Sequence, residues 1–436
     1  MLTAKDFSTD QHGWAEFLPK RTSNPSCKGQ LRSRWAVVGA GLTGLACARR
    51  LAELHPDDEI ILLDARAVAE AASGRNSGYA VANSHFGGLF DPEKLDTYSR
   101  INRLNRAGLN LLREQVRKHN IDCQWHDQGF FHTVADNASL KEVGYFSGYL
   151  ENMDIPHTVL DQSGLAEKLG TEWYQSGVHV HEGALVQPAS LVYGLAGSLP
   201  ENVSLYEHSP VLNKVTGSSA MLQTPDANIK ADKVIVTANF EATRVGLIKR
   251  YILGNTLSGS FTRKLTKEEL GSLGSLKQWG VLSLHSAGAT VRLTQDGRFC
   301  VRNTAEYHGG RLLSDQMLAQ RRKIHRQAFE NRFPQLRHVP FEYSWSGVEG
   351  VSRNFTNFFQ IPEKGLYLAG GFNGSGVSRG TAFGTAIAEY ASGGQSALIN
   401  DCLASPKAEW IPPRPIVDVG VWFTLRQLIK SVGRDG

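Results

Sequence analysis

Trp35-Ala-Val-Val-Gly-Ala-Gly-Leu-Thr-Gly44, followed by Glu59-Ile-Ile-Leu-Leu-Asp64, decides how this chain folds. Trp35 to Val38 is a short apolar run of the kind that forms a buried strand. It stops at Gly39-Ala-Gly41-Leu-Thr-Gly44, and Leu45 to Ala52 then reads as a helix. A second buried strand, Glu59 to Leu63, ends at an acid. The result is a βαβ unit with G-x-G-x-x-G at its first turn, and each glycine has a separate task. Gly39 permits the tight turn, Gly41 lets backbone approach a pyrophosphate, and Gly44 lets the helix pack close to the strand. The helix N-terminus offers free N–H groups and a positive dipole end to the phosphates. Asp64, twenty positions after Gly44, is placed to accept hydrogen bonds from a ribose 2′-OH, which favours a dinucleotide without a 2′-phosphate.

Composition sets the outer limits. At 436 residues the chain is long for one simple domain and predicts two or three intertwined units. It is 41% hydrophobic and 20% charged, ordinary for a globular enzyme. Its net charge of +5 is spread along the chain without a Lys/Arg block, so nucleic acid is not an expected partner. The five cysteines (Cys27, Cys47, Cys123, Cys300, Cys402) are scattered and form no C-x-x-C, which argues against a disulfide framework or a zinc cluster. No apolar run reaches spanning length and no signal segment opens the chain, so a cytoplasmic protein is expected.

Residues 1–33 are polar and turn-rich, with Trp14 and Phe17 as anchors for an extension on the surface of the first domain. After Asp64, Ser73-Gly-Arg-Asn-Ser-Gly78 reads as a loop wrapped against a cofactor, or else as an ordinary surface loop. Pro92 to about His119 has a helical apolar rhythm, as do residues 138–153, and a helix is expected from Ser190, capped by its own hydroxyl. His179 and His181 share one face of a strand, but no third ligand clusters with them, so no metal is expected. Val234 to Thr237 is a continuous apolar run suited to a central parallel strand. Trp279–His285 and Ala289–Gln295, then Asp296-Gly297 and Arg298–Arg302, predict an antiparallel sheet with a hairpin turn. Residues 314–332 read as a polar helix. At the end, Gly365–Gly371 is a strand, Phe372 to Gly380 a glycine-rich loop, and Thr381 to Tyr390 a small-residue helix. That second helix N-terminus, far along the chain from the first, implies a cofactor long enough to span both, and FAD fits.

Taken together, the Gly39–Gly44…Asp64 unit, the Ser73-Gly-Arg-Asn76 loop, the Ala231–Ala238 strand and the Gly365–Gly380 close resemble the D-amino acid oxidase family of FAD-dependent oxidoreductases. The resemblance covers roughly residues 33–400, and within the family it is nearest the γ-glutamylputrescine oxidase and L-pipecolate oxidase branch. It implies a mixed α/β fold: a Rossmann-like parallel FAD domain (34–90, 180–245 and 340–400) and a discontinuous antiparallel substrate domain (91–179 and 246–339). The cofactor contacts it implies are Gly39, Gly41, Leu42, Thr43 and Gly44, then Asp64, Ala65 and Arg66. Ser73, Gly74, Arg75, Asn76 and Ser77 follow, with Arg75 as charge partner to the phosphates, then Val211, Thr237 and Ala238. The closing loop adds Gly371, Asn373, Gly374, Ser375, Gly376, Val377 and Ser378, with Arg379 beside them. Two departures stand out: Gly374-Ser375-Gly376 where the family often has Gly-His-Gly, and Thr237-Ala238-Asn239 where it has Ala-Thr-Gly. No cysteine is well placed for covalent attachment, so the FAD is expected to be non-covalent.

The implied chemistry is hydride removal from a carbon bearing an amine, with L-pipecolate as the leading substrate. A γ-glutamylated polyamine, a D-amino acid and a non-catalytic flavoprotein remain as alternatives. The flavin carries the reaction, so no acid or base residue is expected. A substrate carboxylate calls for an arginine able to grip it with two hydrogen bonds. The candidates are Arg292, Arg302 and Arg353, each equally readable as a solvated surface arginine, with Tyr251 and His285 as pocket walls. In the tail at 401–436, Val421, Trp422, Leu425, Leu428, Ile429 and Val432 share a helical side flanked by Arg426, Lys430 and Arg434. That pattern suits a helix docked on protein or lying on the inner face of a membrane. The electron acceptor is accordingly oxygen or a membrane quinone.

Overall fold

The computed structural model describes residues 12–83, 91–217 and 219–436. The first eleven residues of the expected extension, and residues 84–90 of the expected FAD domain, lie outside the described residues. Seven strands form the first sheet, in the order Phe358–Glu363, Leu366–Gly370, Ala227–Val236, Gly29–Val38, Ile60–Leu63, Val203–Tyr206, with Ala220–Gln223 pairing against Ala227–Val236. Its centre is parallel: Trp35 to Val38 pair with Ile60 to Leu63 on one side and with Lys233 to Val236 on the other. Strands covered on both faces become continuous apolar runs, and Trp35–Val38, Ile60–Leu63 and Val234–Val236 are buried throughout.

One face of this sheet carries three stacked helices, Leu42–Leu54, Gly376–Ala391 and Leu95–Lys118. The middle one is built of small residues because there is no room for larger ones. A Cβ on Gly384 would lie 2.1 Å from the Thr43 carbonyl oxygen, and one on Gly108 would lie 1.8 Å from that of Ser378. The helix Leu95–Lys118, expected with the substrate domain, therefore packs on the cofactor layer.

The second sheet has eight strands: Phe341–Val351, Leu253–Thr262, Phe299–Glu306, Thr290–Leu293, Trp279–Ser283, Phe130–Val134, Ser176–Val180, His157–Asp161. It is antiparallel except where Trp279–Ser283 meets Phe130–Val134. The expected hairpin is present, with Thr290 opposite Arg302, Arg292 opposite Cys300, and Gly297 in a left-handed conformation at its turn. The domain boundary expected at 340 falls too early, ahead of the strand Phe341–Val351. Phe341–Val351 pairs along its length with Leu253–Thr262, so it belongs to the antiparallel sheet.

Several local expectations are revised by packing. The extension ends at Gly29, where the first strand already begins. Trp14 does not sit on the outer surface of the first domain. It is buried against Phe261 (4.7 Å between ring centroids) and Trp345 in the seam between the two sheets. The helix expected from Ser190 runs Pro188–Gly197, and its cap is Gln187, whose side chain accepts from the Ser190 N–H. His179 stacks on Phe131 (4.4 Å) and bonds the Gln128 carbonyl, while His181 meets Thr158, so both have structural partners. All five cysteines are free and buried. In the tail, the helix Ile416–Lys430 has two apolar faces where one was expected. Val421, Leu425, Leu428 and Val432 are half-buried toward the protein. Ile416, Val419, Trp422, Phe423 and Ile429 are exposed.

Candidate active site at the seam of the two sheets

The glycine loop is held from three directions. Gly39 takes a φ of +106°, a conformation open to glycine but strained for other residues. A Cβ on Gly44 would fall 1.7 Å from the Gly39 carbonyl oxygen, and one on Gly41 would fall 2.7 Å from Ser73 Oγ. Thr237 Oγ1 donates toward the carbonyls of Val38 (3.1 Å) and Gly39 (2.9 Å), which fixes the loop from the neighbouring strand. The helix Leu42–Leu54 has no side-chain cap at Gly41, and its first N–H, from Leu42, points at Ser73 Oγ at 3.1 Å. This is a backbone cradle with a helix N-terminus facing it, as a pyrophosphate requires.

Asp64 ends the second strand and takes N–H bonds from Ala40 (2.7 Å) and Arg66 (2.9 Å). Burial raises its carboxyl to about 6, although those two donors and the Arg66 charge pull the other way. Each oxygen keeps lone pairs for ribose hydroxyls, which would restore the ionised form. Ala65 follows it, Arg66 pairs with Glu241, and Val211 is buried beside Val38 and Leu63. Asn239, standing where a glycine is common in the family, adopts a φ of +47° and accepts the Gly371 N–H through Oδ1 at 2.8 Å. The departure from Ala-Thr-Gly thereby ties Ala238 and its strand to the closing loop.

The loop at 73–78 does more than line a cofactor. Arg75 donates to the carbonyls of Glu70 (2.7 Å) and Ser346 (2.8 Å), and Trp345 Nε1 donates to the Arg75 carbonyl (3.0 Å). These bonds give Arg75 a structural role at the seam. Asn76 shapes the turn through the Ser73 carbonyl and the Gly78 N–H. Gly74 is forced by the Ala69 carbonyl oxygen, 2.0 Å from the point its Cβ would occupy.

A cavity of about 390 Å³ opens between the sheets. One wall is the cofactor side: Arg75, Asn76, Ser77, Asn373, Gly374, Ser375 and Val377. The other is the antiparallel sheet: Leu257, Ser258, Leu282, Thr290, Cys300, Arg302, Val348 and Glu349, with Tyr79, Asn83 and His132 at its sides. Arg302 enters it, braced on Thr290 Oγ1 through Nη2 (2.7 Å) and Nε (3.1 Å). Of the three candidate arginines this is the one the structure brings to the cavity.

The others lie elsewhere for definable reasons. Arg292 is on the neighbouring strand, two residues along from Thr290, fully buried and roofed by the 73–78 loop. Its Nη1 donates to the carbonyls of Val186 (2.6 Å), Ser77 (3.2 Å) and Gly78 (3.3 Å), and its guanidinium lies 5.1 Å from the Trp14 ring centroid. Arg353 lies two residues past the end of the strand Phe341–Val351, faces solvent and meets Glu409 and the Trp410 carbonyl. Tyr251 is exposed, and His285 turns to Ser431, leaving its neighbour Ser286 on the cavity. Ser378 and Arg379 fall inside the helix that begins at Gly376, and Arg379 Nε bonds Asn105 Oδ1 at 2.9 Å, away from the loop. Glu349 and His132 were not anticipated. The one signal for Glu349 was an acid in the middle of a strand, Trp345-Ser-Gly-Val-Glu349.

A glycine-loop parallel layer, a second helix N-terminus at 376 and an antiparallel cover meeting over one cavity define a flavin-dependent oxidoreductase of the two-sheet type. The comparisons agree. Residues 34–390 match the family described as FAD dependent oxidoreductase, and the chain belongs to that family. It is 26% identical over 366 residues to the γ-glutamylputrescine oxidoreductase of Escherichia coli K12, covering 82% of this chain and 83% of that one. It is 25% identical over 416 residues to a probable oxidoreductase OrdL of Rhizobium meliloti, covering 89% and 90%. Among solved structures it is similar to glycine oxidase from Geobacillus kaustophilus, with a TM-score of 0.72 at 16% identity over 84% of this chain and 96% of that one. L-proline dehydrogenase from P. horikoshii shares the fold with a TM-score of 0.65 at 16% identity, covering 86% and 96%. The protein is an FAD-dependent oxidoreductase, and the cradle at Gly39–Gly44, the acceptor at Asp64 and the loop at 371–377 are the residues that fit the cofactor.

Proposed function

We propose that the enzyme oxidises the C–N bond of an amino acid, with L-pipecolate as the representative substrate. The observation that carries this is Arg302, whose guanidinium enters the cavity that the cofactor loop Asn373–Val377 borders. A planar guanidinium held by Thr290 suits a carboxylate gripped by two hydrogen bonds. Bound FAD supplies the oxidising power, accepting a hydride from the carbon that bears the nitrogen. The chain's own part is to orient the substrate and exclude water: Leu257, Leu282 and Val348 give the apolar wall, and Arg302 the anchor. The relative active on γ-glutamylputrescine supports a polyamine conjugate as the alternative, since such a molecule also carries a carboxylate for Arg302.

We propose non-covalent FAD, supported by Cys300. It is the one cysteine lining the cavity among the described residues, and burial pushes its thiol up to about 12, so it is a poor nucleophile. Among the described residues no helix is long and apolar enough to cross a membrane. The exposed face of Ile416–Lys430, with Val419, Trp422 and Phe423 beside Arg426 and Lys430, supports peripheral contact with an anionic membrane and a quinone as electron acceptor. Oxygen is the other acceptor.

The test is anaerobic titration of the holoenzyme with amines and amino acids while following flavin absorbance. Bleaching by L-pipecolate or a relative, with KM raised about 10- to 100-fold in Arg302→Gln and unchanged in Arg353→Gln, is the expected result. Bleaching by polyamine conjugates alone moves the substrate to that class. A protein that binds FAD and is bleached by neither is not an amine oxidoreductase.

A further inference from the structure

Glu349 is the acid of the cavity that the reading above leaves without a role. It faces Asn255 across the strand pair Phe341–Val351 and Leu253–Thr262, and Asn255 Nδ2 donates to Oε1 at 2.9 Å. Oε2 looks the other way. It lies 3.6 Å from the point a Cβ on Gly374 would occupy, so it sits against the cofactor loop, and among the described residues it has no donor. Arg302 is near enough for each to perturb the other's protonation, yet among the described residues the two form no ion pair; Arg302 is braced on Thr290. Two opposite charges facing one cavity, each held by a neutral neighbour and kept apart, are both incompletely compensated. The ligand that compensates both is a dipolar one.

We propose that Glu349 is the amine-recognising half of a dipolar subsite, receiving the ammonium of an amino acid whose carboxylate is gripped by Arg302. This rests on the reading of the cavity as an amino-acid site and deepens it from a carboxylate grip to zwitterion recognition. Position gives Glu349 a second task. Hydride removal needs a neutral amine with its lone pair free. The ammonium nitrogen passes one proton to the Glu349 carboxylate, leaving a neutral amine and a neutral carboxyl, with no change in total charge and no electrons exchanged. Burial, the largest influence on this carboxyl, pushes it above the usual carboxylate range and suits it to hold that proton. A quaternary ammonium has no N–H to donate to Glu349 and no proton to pass to it, so the substrate class is amino acids whose protonated nitrogen carries at least one N–H.

The test uses the holoenzyme and two inert probes: 2-aminoisobutyrate, an amino acid with no α-hydrogen to lose, and isobutyrate, its amine-less counterpart. Binding is read by perturbation of the flavin spectrum and by calorimetry. Wild type is expected to prefer the amino acid. Glu349→Gln, nearly isosteric, should lose about 10- to 100-fold for 2-aminoisobutyrate while binding isobutyrate as before, which also shows that the pocket is intact. Glu349→Asp should recover part of the preference. Arg302→Gln should weaken both probes together. If amino acids bleach the wild-type flavin and Glu349→Gln keeps the full preference, or alters only flavin retention, the proposal is overturned alone. If no amino acid binds or bleaches the wild type, it falls together with the reading on which it rests.

Discussion

Replacing Gly44 by alanine tests the core of the cofactor reading, because the geometry leaves the added methyl nowhere to go. Its Cβ would sit 1.7 Å from the Gly39 carbonyl oxygen and 2.8 Å from Thr237 Oγ1. Real contacts stop near 3.0 Å, so loop and helix must part by more than an ångström (3.0 − 1.7 = 1.3). The helix cannot retreat, since the Thr43 carbonyl already abuts Gly384 of the next helix. The loop cannot yield without losing the hydrogen bond from Thr237 to Gly39. Overpacking of this kind costs about 1–3 kcal/mol and the hydrogen bond about 1 more. A total of about 2–4 kcal/mol, borne by the segment that grips the pyrophosphate, corresponds to a FAD dissociation constant weakened roughly 30- to 1000-fold. The assay is fluorescence titration of apoprotein with FAD. Gly148→Ala serves as the control, because Gly148 lies inside the helix Leu140–Asn152 with nothing within 4 Å of its would-be Cβ. That change should leave FAD affinity intact and stabilise the fold by up to about 1 kcal/mol. A Gly44→Ala protein that binds FAD like wild type, with an unchanged melting temperature, would refute the account of the loop.

Acid precipitation of the holoenzyme should release all the flavin into the supernatant; flavin remaining in the pellet would contradict non-covalent binding and point first to Cys300. His325 is buried with Nδ1 at 2.8 Å from Ser260 Oγ, and burial lowers it to about 4. Its folded value lies below its unfolded one, so the unfolded chain binds more protons between about pH 4 and 6.5. Stability should therefore rise with pH across that window, by on the order of 3 kcal/mol, and be lost on acidification. His325→Gln should show the flatter stability profile between about pH 4 and 6.5 in melting curves, and profiles of equal slope would remove His325 as the group responsible. In flotation with anionic vesicles, Val419→Glu with Phe423→Glu should abolish any membrane association of the holoenzyme without changing its flavin content; equal flotation of variant and wild type would remove the helix from consideration.

What the residues disclosed in advance depended on whether the deciding interactions were local. The glycine spacing, the acid at 64 and the Asp296-Gly297 turn are set by backbone sterics within a few residues, and each was legible. Arg292 and Arg302 lie on adjacent strands of one hairpin and point to the same face of the sheet, so alternation alone treats them alike. What separates them is the 73–78 loop and Trp14, which roof one and leave the other open, and both arrive from distant parts of the chain. Glu349 was hidden for the same reason: its meaning comes from Asn255, nearly a hundred residues away, and from a loop that begins after the next two strands. Trp14 looked like a surface anchor because an isolated tryptophan in a polar stretch carries no indication of depth. The tail helix showed its apolar content correctly but not its division into two faces, because most positions around it are apolar.

The seam between the sheets has a consequence for how the enzyme handles ligands. Arg75, Tyr79 and Arg292 stitch the 73–79 segment to the antiparallel cover: Tyr79 hydroxyl to the carbonyls of Val281 and Val291, Arg75 to Ser346, and Arg292 to Ser77 and Gly78, with Trp14 packed on Arg292, Phe261 and Trp345. Opening like a jaw would break these bonds together and bare the tryptophan cluster to water. The 73–79 segment and the cover are therefore held together at several points on one side of the cavity that Arg302 and Glu349 line. Selectivity in such a receptor is one of fit to a preset mould, and ligands that require the walls to move apart pay an entry fee that correctly shaped ones escape.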